Sequence, residues 1–339
     1  MKCVSAHQSG RLEDCIAHGE EAIRVFRAEG SVYGEYYIHL HLAMVGGLMN
    51  DRAAKLAGFD HAQEIIRREL SYDSSVKPLH QALGMECEHE ASPFDVANIQ
   101  RLNAVVLNLL KGEWWIDIYA AACRTLSEKL YVAAGLNEAF GALQTFSVSA
   151  VRNDMKYLAD IVRAQKSLFL AIENRTDEAA THLAGISDLS ADPEKYVFEA
   201  PWRAGEVAAE ASLASSRPIG GVDMWRRFRD RRLDQGNRRL GARLSAMLAV
   251  TTDEKADLAA LEGVICPDLS RAVAFCADKL THIHGDAIGE NFPKSAAVIA
   301  MVRSRAAAGR ATATRRPPLT ILSDKEITVL RALAQGKYD

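Results

Sequence analysis

Apolar residues recur along most of this chain with the period of an α-helix. The first such stripe lies on one helix face and consists of Leu12, Cys15, Ile16, Gly19, Ile23 and Phe26. The same spacing returns in residues 99–110, 115–130 and 158–172. No segment shows the alternation of apolar and polar residues that marks a half-buried strand. The pattern therefore predicts an all-α fold.

The breaks between these stripes are short and carry residues that end helices. Gly10, Gly30, Gly112, Gly135 and Asn174 each separate two periodic segments. Glycine and asparagine adopt the left-handed conformation that closes a helix, so each is a candidate C-cap. Short connections make neighbouring helices antiparallel. We expect a tetratricopeptide-like α-solenoid of antiparallel helix pairs over residues 1–302, in one run or in two blocks, 1–186 and 197–302.

Composition narrows the class of protein. Hydrophobic residues make up 48% and charged residues 25%, and the formal net charge is −3, so no global charge attracts nucleic acid. The six cysteines include no C-x-x-C pair, which favours a reduced, cytoplasmic protein. No apolar run approaches the roughly 20 residues of a membrane span, so we expect no membrane partner.

Residues 303–318 differ in composition from the preceding chain. They contain no acid and end in Pro317-Pro318, which predicts a basic, flexible and exposed linker. Its arginines are candidate contacts for nucleic-acid phosphates: Arg303, Arg305, Arg310, Arg315 and Arg316.

Residues 319–339 contain one well-specified short helix. Ser323 and Glu326 have the spacing of a capping box, in which each side chain satisfies a free backbone amide at the helix start. Ile327, Leu330 and Leu333 share one face, which predicts the first helix of a small helical domain that follows a linker.

This segment resembles the start of the LuxR-type (GerE-type) helix-turn-helix, whose pattern is L-[ST]-x-x-E-x-x-V-L-x-x-L-A-x-G. The matching residues are Leu322, Ser323, Glu326, Val329, Leu330, Leu333, Ala334 and Gly336. Residues 1–185 resemble, less specifically, the tetratricopeptide-like repeats of MalT-like regulators. A generic array of helices and a chance likeness of a capped helix are the alternatives to these two resemblances.

The resemblance implies a bacterial transcriptional regulator of the LuxR family, with a helical region that senses a small effector or a protein partner. DNA would be bound by the complete form of the C-terminal domain. The counterparts of its scaffold and recognition helices are absent from these residues, so we expect an incomplete helix-turn-helix without specific DNA binding. The effector-binding residues are unknown. The alternative function is a stand-alone helical-repeat adaptor that binds proteins.

The remaining sequence patterns do not indicate a catalytic or metal-binding site. We expect no enzyme, since no catalytic arrangement is distinctive, and no cofactor or metal. Two stretches, 87–90 and 282–286, contain possible metal ligands without a conventional fourth ligand. Residues 225–243 are rich in arginine. The favoured interpretation is a solvated helix with its aromatic residues inside, whose long arginines cover apolar surface and pair with acids elsewhere in the chain. A phosphate-binding face is the alternative.

Overall fold

The computed structural model describes residues 2–68, 92–110, 116–186 and 221–314, with short stretches between 80 and 89. Every regular element in these ranges is a helix, which confirms the predicted all-α class. Within the same ranges, none of the helices combines the length and the apolar character that crossing a bilayer requires.

The helices of the N-terminal part are α1 (Lys2–Gln8), α2 (Leu12–Glu29), α3 (Val32–Met49), α4 (Arg52–Arg68), α5 (Ile99–Leu109), α6 (Ile116–Ala134), α7 (Leu136–Arg152), α8 (Lys156–Ile172) and α9 (Thr176–Ala184). Those of the C-terminal part are α10 (Val222–Asp234), α11 (Arg238–Thr252), α12 (Lys255–Val264), the 3-10 turn η1 (Pro267–Leu269), α13 (Ser270–Ala274), α14 (Ala277–His284), α15 (Ala287–Asn291) and α16 (Pro293–Thr314).

The observed helix ends confirm some of the predicted C-caps. Gly30 has φ 69° and Asn174 has φ 60°, so both adopt the left-handed conformation expected of a helix terminus. Thr251 and Glu254 also have the spacing of a capping box, but they do not form one. The Thr251 hydroxyl donates to the Met247 carbonyl (2.7 Å), and α11 continues to Thr252.

Consecutive helices pack on one another because the connections between them are short. Only Asn50 and Asp51 separate α3 from α4, so two helices in contact along their length must run in nearly opposite directions. Helix α3 is buried on most of its surface and contacts α1, α2, α4 and α11. A helix that is apolar all round belongs inside a protein, and α3 is at the centre of this one.

One hydrophobic core joins the two predicted blocks. It contains Ile38 and Leu48 from α3 together with Leu240, Leu244 and Leu269 from the C-terminal part. The division into blocks 1–186 and 197–302 therefore does not separate two cores among the described residues. Periodicity within each helix could not show this, because it identifies an apolar face but not the helix that covers it.

The linker prediction is wrong for residues 303–314, which form the second half of α16. Val302 and Ala306 are buried, and α16 packs against α6, α13 and α14. Composition did not predict this helix because its packed face consists largely of alanine and glycine. These residues bury little area themselves but allow neighbouring helices to approach closely. Residues 315–339, including the LuxR-like motif, lie outside the described residues.

Gly309 tests the packing of this helix. A Cβ atom at Gly309 would lie 2.7 Å from the Phe94 carbonyl oxygen, so Gly309→Ala should lower the free energy of unfolding by about 1–3 kcal/mol. The control is Gly141→Ala in α7, where a Cβ would meet nothing within 4 Å and helix propensity predicts a gain of about 0.5–1 kcal/mol. Urea unfolding measures both. Equal gains would show that residues 303–314 are not packed as described.

Candidate functional site

A cavity of about 340 Å³ opens between α3–α4 on one side and α11, η1 and α13 on the other. Its walls therefore come from segments almost 200 residues apart in sequence. The uncharged lining residues are Gly46, Gly47, Asn50, Leu56, Phe59, Gly84, Leu269 and Ala272. The charged lining residues are Arg52, Lys55, Glu88, Arg239, Arg243, Asp268 and Arg271.

Two adjacent glycines of α3 shape one wall. A Cβ at Gly46 would lie 2.6 Å from the Lys55 backbone nitrogen, so the backbones of α3 and α4 meet at this point because Gly46 lacks a side chain. A Cβ at Gly47 would meet nothing closer than Lys55 Cδ, at 3.6 Å. Gly46 thus sets the helix crossing, whereas Gly47 leaves open space beside it.

Cations outnumber acids in the lining, five to two. Three of the arginines are buried, with Arg239 9%, Arg243 4% and Arg271 5% exposed. Arg52 and Asp268 form a 3.3 Å ion pair in which both side chains remain largely exposed. Buried charges are costly unless they are paired and hydrogen-bonded, so the inner arginines require a carboxylate nearby.

For Arg271 and Arg243 that carboxylate is Glu128 on α6, which is fully buried. Arg271 donates to it through two nitrogens: Nε lies 2.9 Å from Oε2, and Nη2 makes a short contact with Oε1. His89 Nε2 lies 2.5 Å from Oε2, and Gln165 Nε2 donates to Oε1 across 3.3 Å. Residues from three distant parts of the chain therefore converge on one carboxylate.

Opposing effects act on the ionisation of this group. Burial raises the pKa of Glu128, but the hydrogen bond from His89 and the charges of Arg124 and Arg243 outweigh it, so the pKa lies below its ordinary value. Burial lowers the pKa of His89 despite its contact with Glu128. His89 Nε2 thus donates to the Glu128 carboxylate in a site where burial disfavours the charged form of the imidazole.

The arrangement is suited to binding an anion. An arginine side chain carries five N–H donors, and Glu128 occupies only the Nε and Nη2 side of Arg271. The Nη1 atom of Arg271 is buried and has no hydrogen-bond partner among the described residues. The charged lining thus contains an arginine whose donors are only partly used.

The arginine-rich stretch 225–243 fits the favoured interpretation in part, since Arg227, Arg231 and Arg238 are exposed and other arginines pair with an acid on a different helix. Trp225 and Phe228 lie in the core, as predicted. Arg226 Nη2 lies 2.7 Å and Arg229 Nη1 2.6 Å from the buried carboxylate of Asp257. The interpretation as a solvated helix is corrected for Arg229, Arg239 and Arg243, which are buried. Sequence spacing could not identify Asp257, since it lies on another helix.

Of the predicted phosphate contacts, only Arg303, Arg305 and Arg310 are described. All three are exposed on α16, not on a flexible linker. Arg303 Nε lies 3.2 Å from Asp278 Oδ1, and Arg305 Nη1 lies 3.4 Å from Ser270 Oγ. Arg315 and Arg316 lie outside the described residues, as do the helix-turn-helix residues Leu322, Ser323, Glu326, Val329, Leu330, Leu333, Ala334 and Gly336.

Sequence reasoning missed the Glu128 cluster. The sequence indicated His89 only as part of a possible metal-ligand stretch, whereas the side chain contacts Glu128. Arg271 lies 143 residues from Glu128, so no local pattern could connect the two. In the part of the chain that the structure describes, no three His, Cys, Asp or Glu side chains come together as a metal site.

Comparison of the chain with protein-family models, curated proteins and solved structures gave no match.

Proposed function

We propose that the helical body is the effector-sensing region of a bacterial transcriptional regulator of the LuxR type, built as a tetratricopeptide-like solenoid. The observation that carries the proposal is the cavity between α3–α4 and α11–α13. Small-molecule sites are concave, largely apolar and supplied with a few convergent polar groups. The likeness of residues 322–336 to a LuxR-type first helix supplies the DNA-binding half of the proposal.

The position of the cavity supports regulation. A ligand there contacts helices from the N-terminal and the C-terminal part, and α11 and α13 share a core with α16. The described part of helix α16 reaches Thr314, shortly before the LuxR-like segment. A ligand that binds one arrangement of these helices more tightly shifts the population toward it. Such a shift would reach the DNA-binding domain through α16.

An adaptor that binds another protein is the second candidate. Its support is a set of exposed apolar side chains at the end of α7 and the start of α8, where Val148 is 59%, Val151 80% and Tyr157 39% exposed. Exposed apolar side chains that cluster can mark a protein interface. In this case Val151→Glu would abolish capture of the partner and leave ligand binding in the cavity unchanged.

A chimeric regulator tests the first proposal. Residues 1–318 are joined to a complete LuxR-type helix-turn-helix of known operator, and reporter expression is followed as candidate effectors are added. We expect one class of small molecule both to stabilise the chimera thermally and to change reporter expression. Expression that stays constant while such a molecule is bound would refute a regulatory role and favour the adaptor.

DNA binding by the 339-residue chain gives another expected result. Its LuxR-like segment covers the counterpart of the first helix only, and specific readout needs side chains on base edges in the groove. We expect weak binding to a candidate promoter and to a scrambled duplex alike, which weakens as salt rises because the contacts are to phosphates. A mobility-shift titration checks this. Clear preference for the promoter would contradict the interpretation of residues 319–339.

A further inference from the structure

The charge of the cavity lining indicates the class of ligand. Lys55 comes from α4, Arg239 and Arg243 come from α11, and Arg271 comes from α13, so both walls contribute cations. The buried carboxylate next to them, Glu128, is approached by Arg243 as well as by Arg271. Because charges interact more strongly in a partly buried site than in water, this lining attracts an anion.

Arg271 provides an unused donor for that anion. Its Nη1 atom is buried without a hydrogen-bond partner among the described residues. Leaving a buried donor unsatisfied costs about 1–3 kcal/mol. Arg271 lines the cavity, so an oxygen of a carboxylate or phosphate bound there can approach this side chain, and the planar guanidinium binds these two groups better than other acceptors.

The apolar lining describes the rest of the ligand. Leu56 and Phe59 lie on the α4 side, and Leu269 and Ala272 lie on the opposite side. The volume of about 340 Å³ is at the lower end of the range for small-molecule pockets. These surfaces accommodate a short hydrocarbon or a single aromatic ring.

We propose that this cavity binds a small organic anion, whose carboxylate or phosphate group is held by Arg271 and Lys55 and whose apolar body lies against Phe59 and Leu269. The inference rests on the proposed function in one respect, namely that the anion is the effector of the regulator.

The test is isothermal titration of the full chain with four probes. Phenyl phosphate and phenylacetate each combine an anionic group with one ring, benzyl alcohol is the uncharged analogue, and inorganic phosphate is the anionic group alone. We expect saturable binding of at least one ring-bearing anion, at least about tenfold tighter than binding of benzyl alcohol. The tighter of the two ring-bearing anions distinguishes a phosphate ligand from a carboxylate ligand.

Two variants locate the binding. Lys55→Gln should lower the affinity for the anion about tenfold, as expected for loss of one charged contact. Gly47→Leu should abolish binding because its side chain would fill the cavity from α3, while its Cβ makes only ordinary contacts, at 3.6 Å and beyond. Lys156→Gln, at an exposed position that does not line the cavity, is the matched control and should leave affinity unchanged. Thermal unfolding confirms that each variant is folded.

Three results would overturn the inference. They are the absence of saturable binding by either ring-bearing anion up to about 10 mM, equal affinity for benzyl alcohol, and equal effects of Lys55→Gln and Lys156→Gln. The two proposals fail separately. A chimera that responds to an uncharged effector would refute the proposal of an anionic ligand and would support the proposed regulatory function. Tight anion binding with constant reporter expression would support the anionic ligand and refute the regulatory function.

Discussion

Replacement of Arg271 by methionine is expected to lower the free energy of unfolding by about 3–5 kcal/mol. Arg271 makes two hydrogen bonds to Glu128, and both side chains are almost inaccessible to solvent. Its removal leaves a buried carboxylate with fewer compensating donors. The destabilisation exceeds the net free energy that the ion pair contributes, because the remaining buried charge is still desolvated without its partner.

Urea unfolding of matched variants isolates this effect. Arg52→Met breaks the exposed ion pair with Asp268 and should cost less than about 1 kcal/mol. The double variant Arg271→Met/Glu128→Met should lose less stability than the sum of the two single variants, since it removes both charges of the pair. A loss for Arg271→Met no larger than that for Arg52→Met would contradict the described burial of this cluster.

Acidification to about pH 5 is expected to lower the free energy of unfolding by about 4 kcal/mol through two buried histidines. Burial lowers the pKa of His41 to about 3 and the pKa of His80 to about 4, from an ordinary value of 6.5. Between these values and 6.5 the unfolded chain binds more protons than the folded chain. Stability is therefore full above about pH 6.5 and falls by about 2 kcal/mol per histidine at pH 5.

Urea unfolding at several pH values between about 7.5 and 4.5 measures the slope. His80→Gln should reduce the slope below pH 6.5 by about one proton, or about 1.4 kcal/mol per pH unit. His18→Gln on α2 controls for the loss of a histidine as such. The lowered pKa of Glu128 adds a further loss only at more acidic pH, as the carboxylate becomes protonated. A slope unchanged by His80→Gln would show that His80 is not buried in its neutral form.

The fold class was predictable because it depends on local properties. Stripes such as Leu12, Cys15 and Ile23 become the buried face of α2, and Gly30 ends that helix as its backbone freedom indicates. The same local reasoning failed at residues 303–314. The buried residues described there are Ala306 and Gly309, and such small residues give no apolar stripe that composition alone would recognise.

By itself, the sequence determined where most helices lie, which of their faces are apolar and how they end, since these follow from periodicity and backbone preferences within a few turns. Only the tertiary structure decided which helices meet. It placed Glu128 against His89 and Arg271 and opened a cationic cavity between α3–α4 and α11–α13. These contacts join residues far apart in the chain. Periodicity shows that a face must be covered, but the partner that covers it is selected by packing and charge in three dimensions.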